Sequence, residues 1–291
     1  MANVFESLWD LFLSLFRGSD TTTDTSDEPT VSLPTKPSEM VGTGPTYCWM
    51  DISEEDTETL AHAMAQAGLS IVPLELFGFG QDKWVDNISG LMNLFGTRCS
   101  IYNKHGIMVD LKVVNWNWGS GHVENGAMTP CNGRFSDVWF QSVLDGLKPY
   151  ESGVILQACA EWGANGRNSA CWTKAQKWCN TAAGQWKGLK SWNQGSRPGS
   201  APSGHILDWH IDNAASTGPR TSNKLITTDT SGILNWLGGL KSHLTNHVRL
   251  TQLVKECKKQ GCGFSGYTFY DNMNMEQDLA AIDIIGKAWN S

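Results

Sequence analysis

Seven short apolar or alternating runs recur after residue 46, and helical patterns separate most of them. The runs are YCWMDI (47–52), LSIVPLELFG (69–78), GIMVDLKVVNW (106–116), GVILQACAEW (153–162), GHILDWHID (204–212), KLITTD (224–229) and GFSGYTFYD (263–271). Between the first two lies a helix signal, with Ser53 as N-cap, acidic residues in the first turn and Gly68 as its stop. Further helices are predicted over 135–147, 169–189, 246–260 and 276–288. Strand, helix, strand at this rhythm predicts parallel pairing with helices outside. The expected fold is α/β, a (β/α) TIM-like barrel of seven or eight parallel strands, the eighth hidden in 84–105 or 233–248. A doubly wound open sheet is the other arrangement this alternation allows, but no glycine-rich phosphate loop follows the first run.

The chain before residue 46 has a different texture. In residues 1–18, Phe5, Leu8, Trp9, Phe12, Leu15 and Phe16 fall on one helix face, and Glu6, Asp10, Ser14 and Arg17 on the other. This predicts an amphipathic anchoring helix that docks to a partner protein. One basic residue against two acidic ones disfavours a membrane surface, and the stretch is too short to span a bilayer. It lacks the basic start and small-residue cleavage site of a cleavable signal peptide, which is consistent with cytoplasmic synthesis, followed or not by incorporation into a virion or other surface particle. Residues 19–45 are rich in Thr, Ser, Asp and Pro and are expected to form a disordered linker. The barrel domain is then expected over 46–291.

Composition narrows the partners. A net charge of −7 argues against nucleic acid, whose binding needs a basic face. The eight cysteines form no CxxC pair and no histidine sits at zinc-finger spacing, so neither metal nor other cofactor is expected. Buried free thiols are the main expectation, with Cys257 and Cys262 the candidate pair for a disulfide. Fourteen tryptophans are unusual, and flat rings are useful as stacking surfaces as well as core.

Strand parity divides each run into an apolar face and one that mixes in charge. Placing the mixed face inside the barrel predicts an inner set of Asp51, Glu75, Asp110, Lys112, Gln157, Glu161, Asp208, His210, Asp229 and Asp271. Acids exceed bases in this set, so part of it should be an internal salt-bridge network around Lys112, and part should open to water at the strand C-terminal ends. Trp116, Trp118, Trp162, Tyr267 and Tyr270 fall at or past those ends. An acidic mouth walled by aromatic rings suits a carbohydrate. Glycoside hydrolysis needs two carboxyls in such a place. Asp208, His210 and Asp212 in DWHID offer a metal-dependent hydrolase as a different class, although further inward histidines are lacking.

Over about 45–290 the chain resembles the cellulase-type superfamily of TIM-barrel glycoside hydrolases. VILQACAEWG resembles the fourth strand of those enzymes, whose terminal Glu is the acid/base, and the resemblance gives that role to Glu161. Ala160 stands where the family usually has Asn, and Asp229 is the nearest substitute for the nucleophilic Glu of a late strand, with Asp208 and Asp271 behind it. Parity and strand-end placement give substrate contacts to Trp116, Trp118, Trp162, His210, Glu75, Tyr267 and Asp271. The alternative is a non-catalytic virion or assembly protein that docks by its first helix and uses its barrel for host glycan attachment.

Overall fold

The computed structural model describes residues 32–46, 49–77, 84–115, 135–160, 169–193, 201–211, 224–229, 239–267 and 275–291. Eight parallel strands carry the fold: β1 (Val41–Gly44), β2 (Ile71–Phe77), β3 (Met108–Asn115), β4 (Val154–Ala160), β5 (Ser191–Trp192), β6 (Ile206–Ile211), β7 (Lys224–Asp229) and β8 (Gly263–Tyr267). They pair in the order β4-β3-β2-β1-β8-β7-β6-β5. A parallel bridge from Leu156 to Lys190 joins the two ends of that row, with Leu156 N–H donating to Leu189 O at 3.0 Å. The sheet is therefore a nearly closed TIM-type barrel, as the strand–helix rhythm predicts.

Six α-helices lie among the described residues: α1 (Glu54–Gln66), α2 (Ile88–Lys104), α3 (Asp137–Leu147), α4 (Ser169–Gln185), α5 (Gly239–Lys259) and α6 (Met275–Asn290). Their starts follow local chemistry. Ser53 Oγ accepts from Asp56 N–H at 3.0 Å at the head of α1. The Asn87 side chain does the same for Gly90 N–H at α2, and Ser136 Oγ for Trp139 N–H at α3. Each satisfies one of the four amide donors that a helix start leaves free. Adjacent helices lock through aromatic contacts. Phe140 of α3 stacks on Trp178 of α4 with centroids 4.6 Å apart and planes 5° from parallel.

Parity sorts the core in two. Val72, Leu74, Val109, Leu111, Leu156, Leu207 and Ile226 join the large cluster shared with the helices. Ile71, Met108, Ile155, Ile206 and Leu225, one step out of phase, form a separate cluster with Met40 that plugs the N-terminal end of the barrel. Leu33 and Leu189 pack against this plug.

Four expectations need correction. The first strand is VGTG at Val41–Gly44, inside the stretch whose composition reads as linker, and not YCWMDI. Trp49–Asp51 is instead a short 3-10 turn, so Asp51 is exposed and not an inward strand residue. The eighth strand is Ser191–Trp192; 84–105 holds α2, and α5 covers the described part of 233–248. Cys257 and Cys262 are both free thiols, the Cys262 thiol pointing to Cys257 O at 3.3 Å. Residues 1–31, which contain the predicted anchoring helix, lie outside the described residues.

Candidate functional site

The C-terminal ends of parallel strands face one way, and in a barrel they surround a common mouth. Directly above the apolar plug, and still enclosed, the strands contribute a polar layer. It holds Glu75 of β2, Asp110 and Lys112 of β3, Gln157 of β4, Ser191 of β5, Asp208 of β6, Thr227 of β7 and Ser265 of β8, all buried. Backbone register explains the grouping: Glu75, Lys112 and Gln157 are successive partners across β2, β3 and β4.

Two hydrogen-bonded chains organise the layer. Lys112 Nζ donates to Asp110 Oδ2 at 3.1 Å, and Ser265 Oγ reaches the same oxygen at 3.5 Å. Gln157 Nε2 donates to Ser191 Oγ at 3.0 Å and to Asp208 Oδ2 at 2.7 Å. Thr227 Oγ1 donates to Asp208 Oδ1 at 2.6 Å. Burial pushes the Lys112 ammonium toward losing its proton, but the negative fields of Asp110, Asp208 and Glu75, with the Asp110 hydrogen bond, outweigh it, and its pKa stands above the ordinary lysine value. Of the salt-bridge network expected around Lys112, the pair with Asp110 is formed, and Asp208 and Glu75 act on the ammonium through their fields. A buried ammonium amid carboxylates is tolerable only with such pairing.

This geometry separates the predicted site residues. Asp208 and Glu75 are 1% and 0% exposed and belong to the enclosed polar layer. Tyr267 ends β8, half-buried, opposite Asp229 in the strand register. His210 and Asp229 lie on β6 and β7, and Asp229 is the last residue of its strand; their side chains lie outside the described part. Glu161, Trp116, Trp118, Trp162 and Asp271 also lie outside the described residues, as does Asp212. Strict alternation does not hold to the end of β4. Cys159, inward by parity, approaches Ala175 O of α4 at 4.0 Å and meets the Cys179 thiol there. Burial, then that thiol, holds Cys159 protonated well above the usual cysteine range.

Sequence reasoning missed Ser191, Thr227 and Ser265. Thr227 was within reach, since it alternates between Leu225 and Asp229 in LITTD. Ser191 sits on a two-residue strand that carries no periodicity. Among the described residues no group of His, Cys, Asp and Glu is arranged to hold a metal ion.

No protein-family model matches the sequence, and no curated protein matches it. Solved structures do match in fold. A glycoside hydrolase family 5 enzyme from Prevotella bryantii, solved with a xyloglucan tetradecasaccharide, is 12% identical with a TM-score of 0.57 over 89% of this chain and 100% of that one. A family 5 enzyme from Streptomyces cattleya in complex with GlcNAc is 11% identical with a TM-score of 0.53, over 87% and 81%. The endo-1,4-β-mannanase of Rhizomucor miehei is 13% identical with a TM-score of 0.50, over 91% and 97%. At such identities the likeness is one of fold alone, a TIM barrel.

Proposed function

We propose that this barrel is a glycoside hydrolase that cleaves a poly- or oligosaccharide, with Glu161 as general acid/base and Asp229 as the second carboxylate. One observation carries the reading. β4 ends at Ala160, so Glu161 is the next residue in sequence, and β7 ends at Asp229. Both carboxyls therefore belong to strand C-terminal ends of a barrel fold shared with enzymes that act on β-linked glycans. Protonating a glycosidic oxygen at neutral pH needs a carboxyl held in its acid form, which an apolar wall such as Trp162 and a nearby second carboxylate would favour. Trp116, Trp118, Tyr267, His210 and Asp271 would line the same mouth and hold the sugar rings.

The test is reducing-end release from a panel of β-mannan, xyloglucan, β-glucan and peptidoglycan. The parent should cleave at least one. Glu161→Gln should abolish turnover while its circular dichroism and glycan binding stay unchanged. A Glu161→Gln variant as fast as the parent would remove Glu161 from the mechanism.

A second reading, a glycan-binding barrel without catalysis, is favoured by Ala160 in the family's usual Asn position and by Asp229 in place of a late-strand Glu. It wins if a glycan binds and no polysaccharide of the panel is cut. The amphipathic pattern of residues 1–18 adds a docking role for that segment, on a partner protein. Deleting 1–18 should abolish co-sedimentation with such a partner and leave the barrel's Tm nearly unchanged; a large fall in Tm would show instead that the segment supports its own barrel.

A further inference from the structure

The barrel has a thin seam between β4 and β5. β5 is two residues long, and the bridge to β4 is the single pair Leu156↔Lys190. β1 and β2 also share one register pair, Gly42↔Ile71, whereas β2 and β3 share six. Gln157 follows Leu156, and its amide spans the seam on the interior side. Nε2 reaches Ser191 on β5 and Asp208 on β6, while Thr227 on β7 holds the other oxygen of the same carboxylate. These four side chains are 1%, 5%, 1% and 0% exposed. One side-chain chain thus ties β4, β5, β6 and β7 together across a seam that the main chain closes with a single bridge.

We propose that Gln157 is a positioning residue: its amide clamps the β4–β5 seam and, through Asp208 and Thr227, sets the separation between the mouth ends of β4 and β7. The geometry makes the consequence specific. Thr227 is two residues before Asp229 on β7, and Gln157 is three before Ala160, where β4 ends, so the clamp joins the two strands that lead to the proposed carboxylates. The catalytic part of this inference rests on the glycosidase reading; the geometric part does not. The Asp208 bonds are charge-assisted and enclosed, hence stiff. A hydrocarbon in place of the amide would fill the space and leave the seam to one backbone bridge. Displacements of about 1 Å in catalytic geometry cost on the order of a hundredfold in rate.

The experiment compares crystal structures, thermal unfolding and initial rates of the parent, Gln157→Leu and Thr227→Val in the full chain. The Cα separation of Ala160 and Asp229 should change by more than about 0.5 Å, the tolerance of a working site, in both variants. On the polysaccharide that the parent cleaves, kcat should fall at least about tenfold with KM within about twofold. Gln157→Glu should regain rate as the pH falls, because a protonated carboxyl again donates to Asp208. An unchanged separation overturns the proposal, as does a rate loss that only tracks the unfolded fraction. If Gln157→Leu does not fold, Thr227→Val, which breaks the far end of the same chain, decides. If the parent cleaves nothing, the glycosidase reading fails, and the separation still decides the clamp.

Discussion

Lys112 shows how single residues permit an acid-rich interior. It is 3% exposed and faces Asp110, Asp208 and Glu75. Because its pKa is raised in the fold, the stability it contributes is complete below the unfolded lysine value of about 10.4 and is lost as pH rises through the folded one. Lys112→Met keeps roughly the volume and abandons the carboxylates. The expected loss is about 3–5 kcal/mol, read from urea midpoints at pH 7, and it should shrink as the pH falls and the abandoned carboxyls take up protons. An unchanged midpoint would mean that another group balances them. Much of this layer was legible, because alternation along β2, β3, β4 and β6 puts Glu75, Asp110, Lys112, Gln157 and Asp208 on one face. Alternation does not report depth, and it gave no sign that Asp208 and Glu75 are as enclosed as Asp110 and Lys112. The hydroxyls of Ser191 and Ser265 were silent because Ser carries no strong preference for either face, whereas the alternation of LITTD could have marked Thr227. The five cysteines whose side chains are described are all buried, and burial pushes the Cys99 thiol up to about 12.

At the scale of elements, strands with apolar runs were legible and those without were not. β1 is VGTG, with one aliphatic side chain, because glycine is needed where it crowds β2. A Cβ on Gly42 would stand 1.7 Å from Ile71 O, a backbone atom that cannot step aside. Gly42→Ala should therefore lower the Tm sharply or prevent folding. Gly184→Ala, on α4 with open space around it, should be stabilised slightly, by roughly 0.5–1 kcal/mol. Equal thermal midpoints for the two variants would show that β1 does not depend on this close approach. The helix α2 was legible in principle. Leu91, Phe95, Cys99 and Tyr102 are all buried at helical spacing, but Gly90 and Gly96 dilute the pattern. Gly96 is there for a reason of packing, since a Cβ would stand 2.0 Å from the Tyr150 hydroxyl.

For the whole molecule, strand–helix alternation predicted parallel strands joined by helical crossovers, and the missing glycine-rich phosphate loop favoured a barrel over an open sheet. What alternation cannot supply is the spacing between groups on different strands, and the chemistry depends on that spacing. The enclosed layer, with its clamp from β4 to β7, makes the spacing a property of the barrel and not of the segments above it. The most direct test of the glycosidase account is a crystal structure with an oligosaccharide bound, read at one distance, from the Glu161 carboxyl to the Asp229 carboxyl. The account predicts about 5–5.5 Å for a retaining enzyme or about 6.5–9.5 Å for an inverting one, with the glycosidic oxygen between them. If no carboxylate lies within about 10 Å of Glu161, the pair required for hydrolysis does not exist and the account is contradicted.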